Sequence, residues 1–302
     1  MARLTRVFGR MLTGIVGSML LVACPEPRGA VAPQSANPED ALLAAHPRQA
    51  LSMMGFDHGP DEALRAASEE IRVLFAIASL DLERWGDAEI IVPRVKDPVT
   101  RDLAHCYLAG KRTDIDGERR CRDALKAAEA AGRAADYLTD SAELGLAASV
   151  ERNNRLETAA ELLAALTKAR PNIRNRKALH AFYDRVGWIK EDVVALEAWA
   201  LEMPDDVSVK GQLIAALDRK VKGDILEARG QDAEAAARRL LVLDPDNGSW
   251  RFYLADALAL LGKKDESAKE RAAAVASGAT PPKASNAVRE MPDQPARGPQ
   301  SP

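Results

Sequence analysis

Aromatic side chains are scarce in this chain: Trp, Tyr and Phe together make up 4% of 302 residues. Ala and Leu are abundant instead, and such side chains suit helices that pack closely through small contacts. No segment alternates apolar and polar residues convincingly, so strands are not expected. Lys and Arg number 42 against 45 Asp and Glu, a formal charge of −3, and nothing forms a long basic block. The electrostatic footprint of a nucleic-acid binder is therefore missing. So is any apolar run of about 20 residues, the length that crosses a bilayer. Catalytic signatures are lacking too, with no G-x-S-x-G, G-x-x-x-x-G-K-[ST], H-E-x-x-H or C-x-x-C pattern. The four histidines, His46, His58, His105 and His180, are too scattered for a local metal site, and Asp114-Ile115-Asp116-Gly117-Glu118 lacks the later ligands of a calcium loop. The expectation is a chain without catalytic residues, metal or cofactor.

What is present begins at the N-terminus, where Arg3, Arg6 and Arg10 precede an apolar run from Met11 to Val22 that leads into Ala23 and Cys24. Positive charge, a short apolar stretch and a small residue describe a secretory signal. Leu21-Val22-Ala23-Cys24 resembles the lipobox of bacterial lipoproteins. The resemblance implies that residues 1–23 are a signal peptide, and that Cys24 receives a diacylglycerol and anchors the cleaved chain to a lipid bilayer. The alternatives are ordinary cleavage after Ala23, or a buried apolar helix with a chance cysteine. In such lipoproteins an aspartate after the cysteine signals inner-membrane retention. Pro25 stands there instead, which implies the bacterial outer membrane with the body facing the periplasm. Losing residues 1–23 removes three arginines and no acid, taking the formal charge from −3 to −6. Residues 24–40, rich in Pro, Ala and polar side chains, read as a flexible tether. Residues 278–302 carry Pro281, Pro282, Pro292, Pro295, Pro299 and Pro302 and read as a disordered tail.

Two cysteines remain, Cys106 and Cys121. They fall on expected helices 99–109 and 118–131, joined by the turn from Gly110 to Gly117, which places both thiols near one end of a hairpin. In an exported chain such a pair can oxidise. A Cys106–Cys121 disulfide, two free buried thiols, and a reactive thiol with His105 as base remain open. Adjacent helical residues point about 100° apart, which makes the last a poor geometry.

Apolar residues elsewhere recur at three and four, as in Leu64, Ile71, Leu74, Phe75 and Ala78. Gly86, Gly110, Gly132, Gly187, Gly230 and Gly262 stand where periodicity stops, as glycines just past a helix end do. Pro171, Pro204 and Pro245 each follow a second helix. Pro171 to Pro204 spans 33 residues, and an offset of 32 superposes Gly230 on Gly262, Asp224 on Asp256 and Arg239 on Arg271. A period near 33 signals a helix-pair solenoid.

On these residues the segments 140–173, 173–206, 216–247 and 248–279 resemble tetratricopeptide repeats. Leu146, Ala147 and Ala159, then Leu179 and Gly187, then Leu226 and Gly230, then Leu254, Ala255, Leu258, Gly262 and Ala274 match the pattern. His180, Asp192 and Trp199 depart from it by filling places usually small, and the stretch from Pro204 to Gly230 is about nine residues too long. The resemblance implies an all-α, right-handed helix-pair solenoid over 140–277, with 41–139 a helical region that could hold divergent repeats. An irregular bundle is the alternative. It also implies a concave groove for a protein or peptide segment, lined here by Arg152, Arg174, Lys177, Arg185, Lys220, Asp224, Phe252 and Asp256. The lining leans basic, which suits an acidic or C-terminal-carboxylate segment. The functional expectation is a lipid-anchored adaptor in a cell-envelope assembly. The other class considered is a lipid-anchored enzyme or enzyme subunit with its site in 41–139.

Overall fold

The computed structural model describes residues 37–56, 62–112, 114–134 and 136–281. The signal peptide, Cys24, most of the tether, His58 and the tail beyond Pro281 lie outside the described residues. Within them the chain is helical, with no strand and with no helix long and apolar enough to cross a membrane. The helices are α1 (Pro38–Leu43), α2 (Pro47–Met54), α3 (Glu62–Ala66), α4 (Glu69–Asp81) and α5 (Trp85–Ile91), the last continued by a 3₁₀ turn, Val92–Arg94. Then come α6 (Pro98–Lys111), α7 (Gly117–Ala130), α8 (Tyr137–Arg152), α9 (Leu156–Ala169), α10 (Ile173–Val186) and α11 (Ile189–Glu202). The last four are α12 (Val207–Leu226), α13 (Gly230–Leu243), α14 (Ser249–Leu260) and α15 (Lys264–Ala276). Residues 38–40, expected in the tether, open α1 instead, because Asn37 accepts the Asp40 N–H at 2.8 Å and caps the helix.

From α4 onward the helices alternate as first and second members of pairs, each packed on the next in sequence. Local chemistry marks the alternation. First helices α4, α6, α8, α10 and α12 start at Ser68, Asp97, Asp136, Asn172 and Asp206, whose side chains accept backbone N–H groups of the first turn. Second helices α5, α7, α9, α11, α13 and α15 have no such cap, and neither does the last first helix, α14. The second helices are entered by a tight corner instead, several with one residue in the left-handed region: Glu83, Asn154, Gly187, Ala228 and Gly262. First helices also pack on each other, α4 on α6, α6 on α8, α8 on α10, and α12 on α14. This is a helix-pair solenoid, and its pairs begin well before residue 140.

Three glycines expected to end helices have other roles. Gly86 lies in the first turn of α5. Gly110 lies within α6, where an added Cβ would sit 2.3 Å from the Gly145 Cα of α8, so two helices meet there backbone to backbone. Gly230 opens α13 against Leu261, and the left-handed corner falls two residues earlier, at Ala228. The extra residues after Pro204 form no additional element: they make α12 a single 20-residue helix.

Apolar burial divides into two cores, one running from Ala41 to Tyr183 and one from Val193 to Leu258. The break falls between α10 and α11. The residues that depart from the repeat pattern occupy it. His180 Nδ1 lies 2.6 Å from the fully buried Asp192, and Arg219 of α12 reaches Asp192 at 3.4 Å and Asp184 of α10 at 2.8 Å. Trp199, also buried, donates its indole N–H to the Met203 sulfur. The two cores are thus joined by a polar network where a uniform array would place small residues.

Candidate protein-binding groove

One face of the N-terminal core is built by the first helices α4, α6, α8 and α10, which pack on one another. The Gly110–Gly145 approach draws α6 against α8, and the Cys106–Cys121 disulfide, with Cα atoms 4.7 Å apart, ties α6 to α7. With Cys106 bonded, no thiol is left beside His105 for nucleophilic chemistry. Arg174, on the first turn of α10, reaches across to the last residue of α4. Its Nε and Nη2 donate to the two Asp81 carboxylate oxygens at 3.0 and 3.1 Å, and its Nη1 donates to Ser141 Oγ at 2.8 Å. The guanidinium also lies 5.1 Å from the Tyr107 ring centre, and the Tyr107 hydroxyl donates to the same carboxylate. Burial, with Asp81 adding to it, pushes the Tyr107 phenol up, so it stays protonated as a donor. The Arg174–Asp81 pair is bidentate and fully oriented, with the guanidinium buried and the carboxylate partly so.

This network floors a cleft of about 370 Å³ between α4, α6, α8 and α10, with Ala45 and Pro47 of the α1–α2 corner on its rim. That is the size of a site for a short segment or a chain end. Its charged lining is Lys111, Arg174, Lys177 and Arg185 against Asp81 and Glu151. Arg185 is held by Glu151 in a bidentate pair at 2.8 and 2.7 Å. Lys111 sits 5.3 Å from the Tyr107 ring centre, and Lys177 makes no ion pair among the described residues. Lys111 is engaged by the Tyr107 hydroxyl and the Asp81 charge, which push its ammonium pKa up, so Lys177 is the cation left to face a ligand.

Of the eight expected groove residues, the structure brings Arg174, Lys177 and Arg185 together, with Arg174 as the floor and not a free contact. The other five are elsewhere. Arg152 extends to the C-terminal end of α6, donating to the Gly110 and Ala109 carbonyls at 2.7 and 2.8 Å, where it satisfies acceptors the helix leaves open. Lys220 pairs with Asp224 at 2.6 Å, and Asp224 is also held by Arg229, which closes the α12–α13 corner. Asp256 is buried against Arg271, and Phe252 is a fully buried core residue. Lys220, Asp224, Phe252 and Asp256 turn inward because each satisfies a buried charge or fills apolar space, whereas Arg152 stays exposed and is spent on the end of α6.

Lys111, Tyr107, Asp81 and Glu151 were missed. Their signal was the N-cap series: Ser68 and Asp97 mark α4 and α6 as first helices in the way Asn172 marks α10.

A second cleft, in the region where an enzyme site was considered, is lined by Glu89, His105, Arg112, Asp114 and Arg120. Glu89 is paired with Arg112 at 2.6 Å and Asp114 faces Arg120 at 3.8 Å. Burial lowers the His105 pKa. The carboxylates there are matched by cations, and no nucleophile lies among the lining residues.

No family model matches this chain, and no curated protein matches it. Solved structures do match, among them MamA MSR-1 C2 and MamA AMB-1 P212121, at 18% and 21% identity with TM-scores of 0.35 and 0.30. They cover 70% and 54% of this chain and 96% and 94% of their own. Superposition at that level adds nothing to the reading of the fold or the groove, which stands on the helix pairing and the cleft geometry.

Proposed function

We propose that this protein is a lipid-anchored adaptor that captures a short acidic segment, or a chain end bearing a free carboxylate, in the cleft between α6, α8 and α10. The observation that carries the reading is the cation left over in the cleft, Lys177, with Lys111 on the Tyr107 ring beside it, over a floor already neutralised by Arg174 and Asp81. A rigid floor with cations at its mouth suits charge-assisted capture of a carboxylate. The anchor is proposed on Cys24 in the outer membrane, with the body in the periplasm as part of an envelope assembly. The lipobox-like tetrapeptide supports it, as does a disulfide of the kind found in oxidising compartments.

The test is fluorescence anisotropy with a labelled acidic hexapeptide that ends in a free carboxylate. Lys111→Glu/Lys177→Glu should weaken binding at least about tenfold, with circular dichroism as the folding control because Lys111 also contacts Tyr107 of the floor. Added salt should weaken binding as well, since exposed charges are screened over about 8–10 Å at ordinary ionic strength. Equal binding by the double variant removes the cleft from the account. The anchor has a separate test: Cys24→Ala should move the protein from the detergent phase to the aqueous phase.

A further inference from the structure

The groove is not empty along its whole length. Besides its neighbour α2, α1 packs on α4, α8 and α10, which are all first helices, so it lies on the face those helices share. Ala41 and Leu42 are completely buried there. Six residues are too few to hold a helix in water, where about 12–15 are needed, so α1 is helical because it is docked. Its attachment is narrow. Only those two side chains are buried, and α1 leaves the groove through Ala45, held in the left-handed region at φ 59°.

Leu43 adds a partly buried apolar contact, and the rest of the attachment is polar and unfavourably charged. The Glu39 carboxylate accepts the backbone N–H of Tyr137, the first residue of α8. It does so in a recess shared with Glu69 and Glu70 of α4, Thr100 of α6, and Asp136 and Tyr137 at the start of α8, with Arg133 as the one cation among the lining residues. Glu69 already accepts the Lys96 and Asp97 N–H groups, and Arg133 is already paired with Asp136 at 2.6 Å. Glu39 is therefore a carboxylate docked among carboxylates.

We propose that the shared face of α4, α8 and α10 is a helix-binding surface and that α1 is its detachable intrachain occupant. Release of α1 uncovers the face that continues from the cleft and lengthens the link between the body and the N-terminal segment. The proposal shares a surface with the acidic-segment reading but does not require it, because its test uses no partner.

Burial pushes the Glu39 carboxyl above the usual carboxylate range, with Asp136, Asp40 and Glu70 adding to the effect and the Tyr137 N–H opposing it. The sign follows. Docking is strongest at low pH, where Glu39 is protonated whether α1 is docked or free. It weakens as pH rises toward and through the raised docked value, because the free carboxyl ionises first.

Hydrogen exchange of the full-length chain tests this directly. At neutral pH, α1 amides should exchange roughly 100-fold or more faster than those of α6 and α8, through local opening. Glu39→Gln keeps an acceptor for Tyr137 and removes the charge. It should slow α1 exchange about tenfold for each unit by which the carboxyl is raised, leaving α6 and α8 unchanged. A second arm uses a labelled peptide of residues 37–46. Full-length Leu42→Asp, in which α1 cannot dock, should bind it at least about tenfold more tightly than wild type does. If α1 is as protected as α6 and α8, it is an integral part of the core and the proposal is overturned. A helical Leu42→Asp chain that ignores the peptide overturns it as well. Should Leu42→Asp fail to fold, exchange in wild type and Glu39→Gln decides.

Discussion

In the N-terminal core α6 and α8 touch through glycine backbones, a disulfide binds α6 to α7, and an ion pair spans from α10 back to α4. In the C-terminal core Ala and Leu side chains separate the helices, as with Ala216, Leu217, Ala233 and Ala237, and Gly211 and Gly223 of α12 meet nothing within 4 Å. The same helix-pair plan thus serves two purposes. Close approach and covalent ties in the first core hold the floor of a cleft in place. Ordinary side-chain packing in the second builds helices whose charged groups, Asp224 and Asp256, are satisfied internally. The seam at Asp192 and Arg219 lets one chain carry both.

The largest expected difference comes from the floor of the cleft. Arg174→Ala leaves Asp81 and Tyr107 without their buried cation and should cost about 3–5 kcal/mol, read as a lowered denaturant midpoint. A loss below 1 kcal/mol would mean that α10 and α4 are not held together by this pair. Next is the disulfide. Cys106→Ser/Cys121→Ser opens a loop of 15 residues and should cost roughly 3 kcal/mol in the chain-entropy model. Mass spectrometry of non-reduced peptides from the exported protein checks that the bond forms at all.

In the C-terminal core the effects are smaller and come from packing alone. Ala255 is fully buried on α14, with its carbonyl accepting the Ser267 hydroxyl of α15 at 2.7 Å. Ala255→Leu should overpack that contact and cost about 1–3 kcal/mol by thermal melting. The smallest effect has the opposite sign. Gly211→Ala places a methyl group in open space on α12 and should stabilise by about 0.5–1 kcal/mol, because alanine loses less backbone freedom in a helix.

Much of this architecture could be read from the sequence. Periodicity gave helices without strands, and Pro171, Pro204 and Pro245 each stand just past a second helix. Glycine was less dependable, because one residue type answers two needs. Gly187 and Gly262 supply left-handed corners, whereas Gly110 supplies absence of bulk, and a single sequence does not separate the two. The groove was half legible for a related reason. Repeat position identifies which helix face points inward, but not whether a charge there meets solvent or a buried partner. Lys177 and Arg174 lie one turn apart on α10, and only the second has Asp81 opposite it, 93 positions earlier in the chain. Pairing at that distance has no local signature.

The central claim is that the N-terminal core, and not the C-terminal one, holds the recognition surface. Hydrogen exchange of the full-length protein, with and without the acidic hexapeptide at saturation, tests it most directly. The account predicts added protection in α6, α8 and α10, around Lys111 and Lys177, and none in α12 or α14. Protection appearing along α12 and α14, with α6 to α10 unchanged, would contradict it.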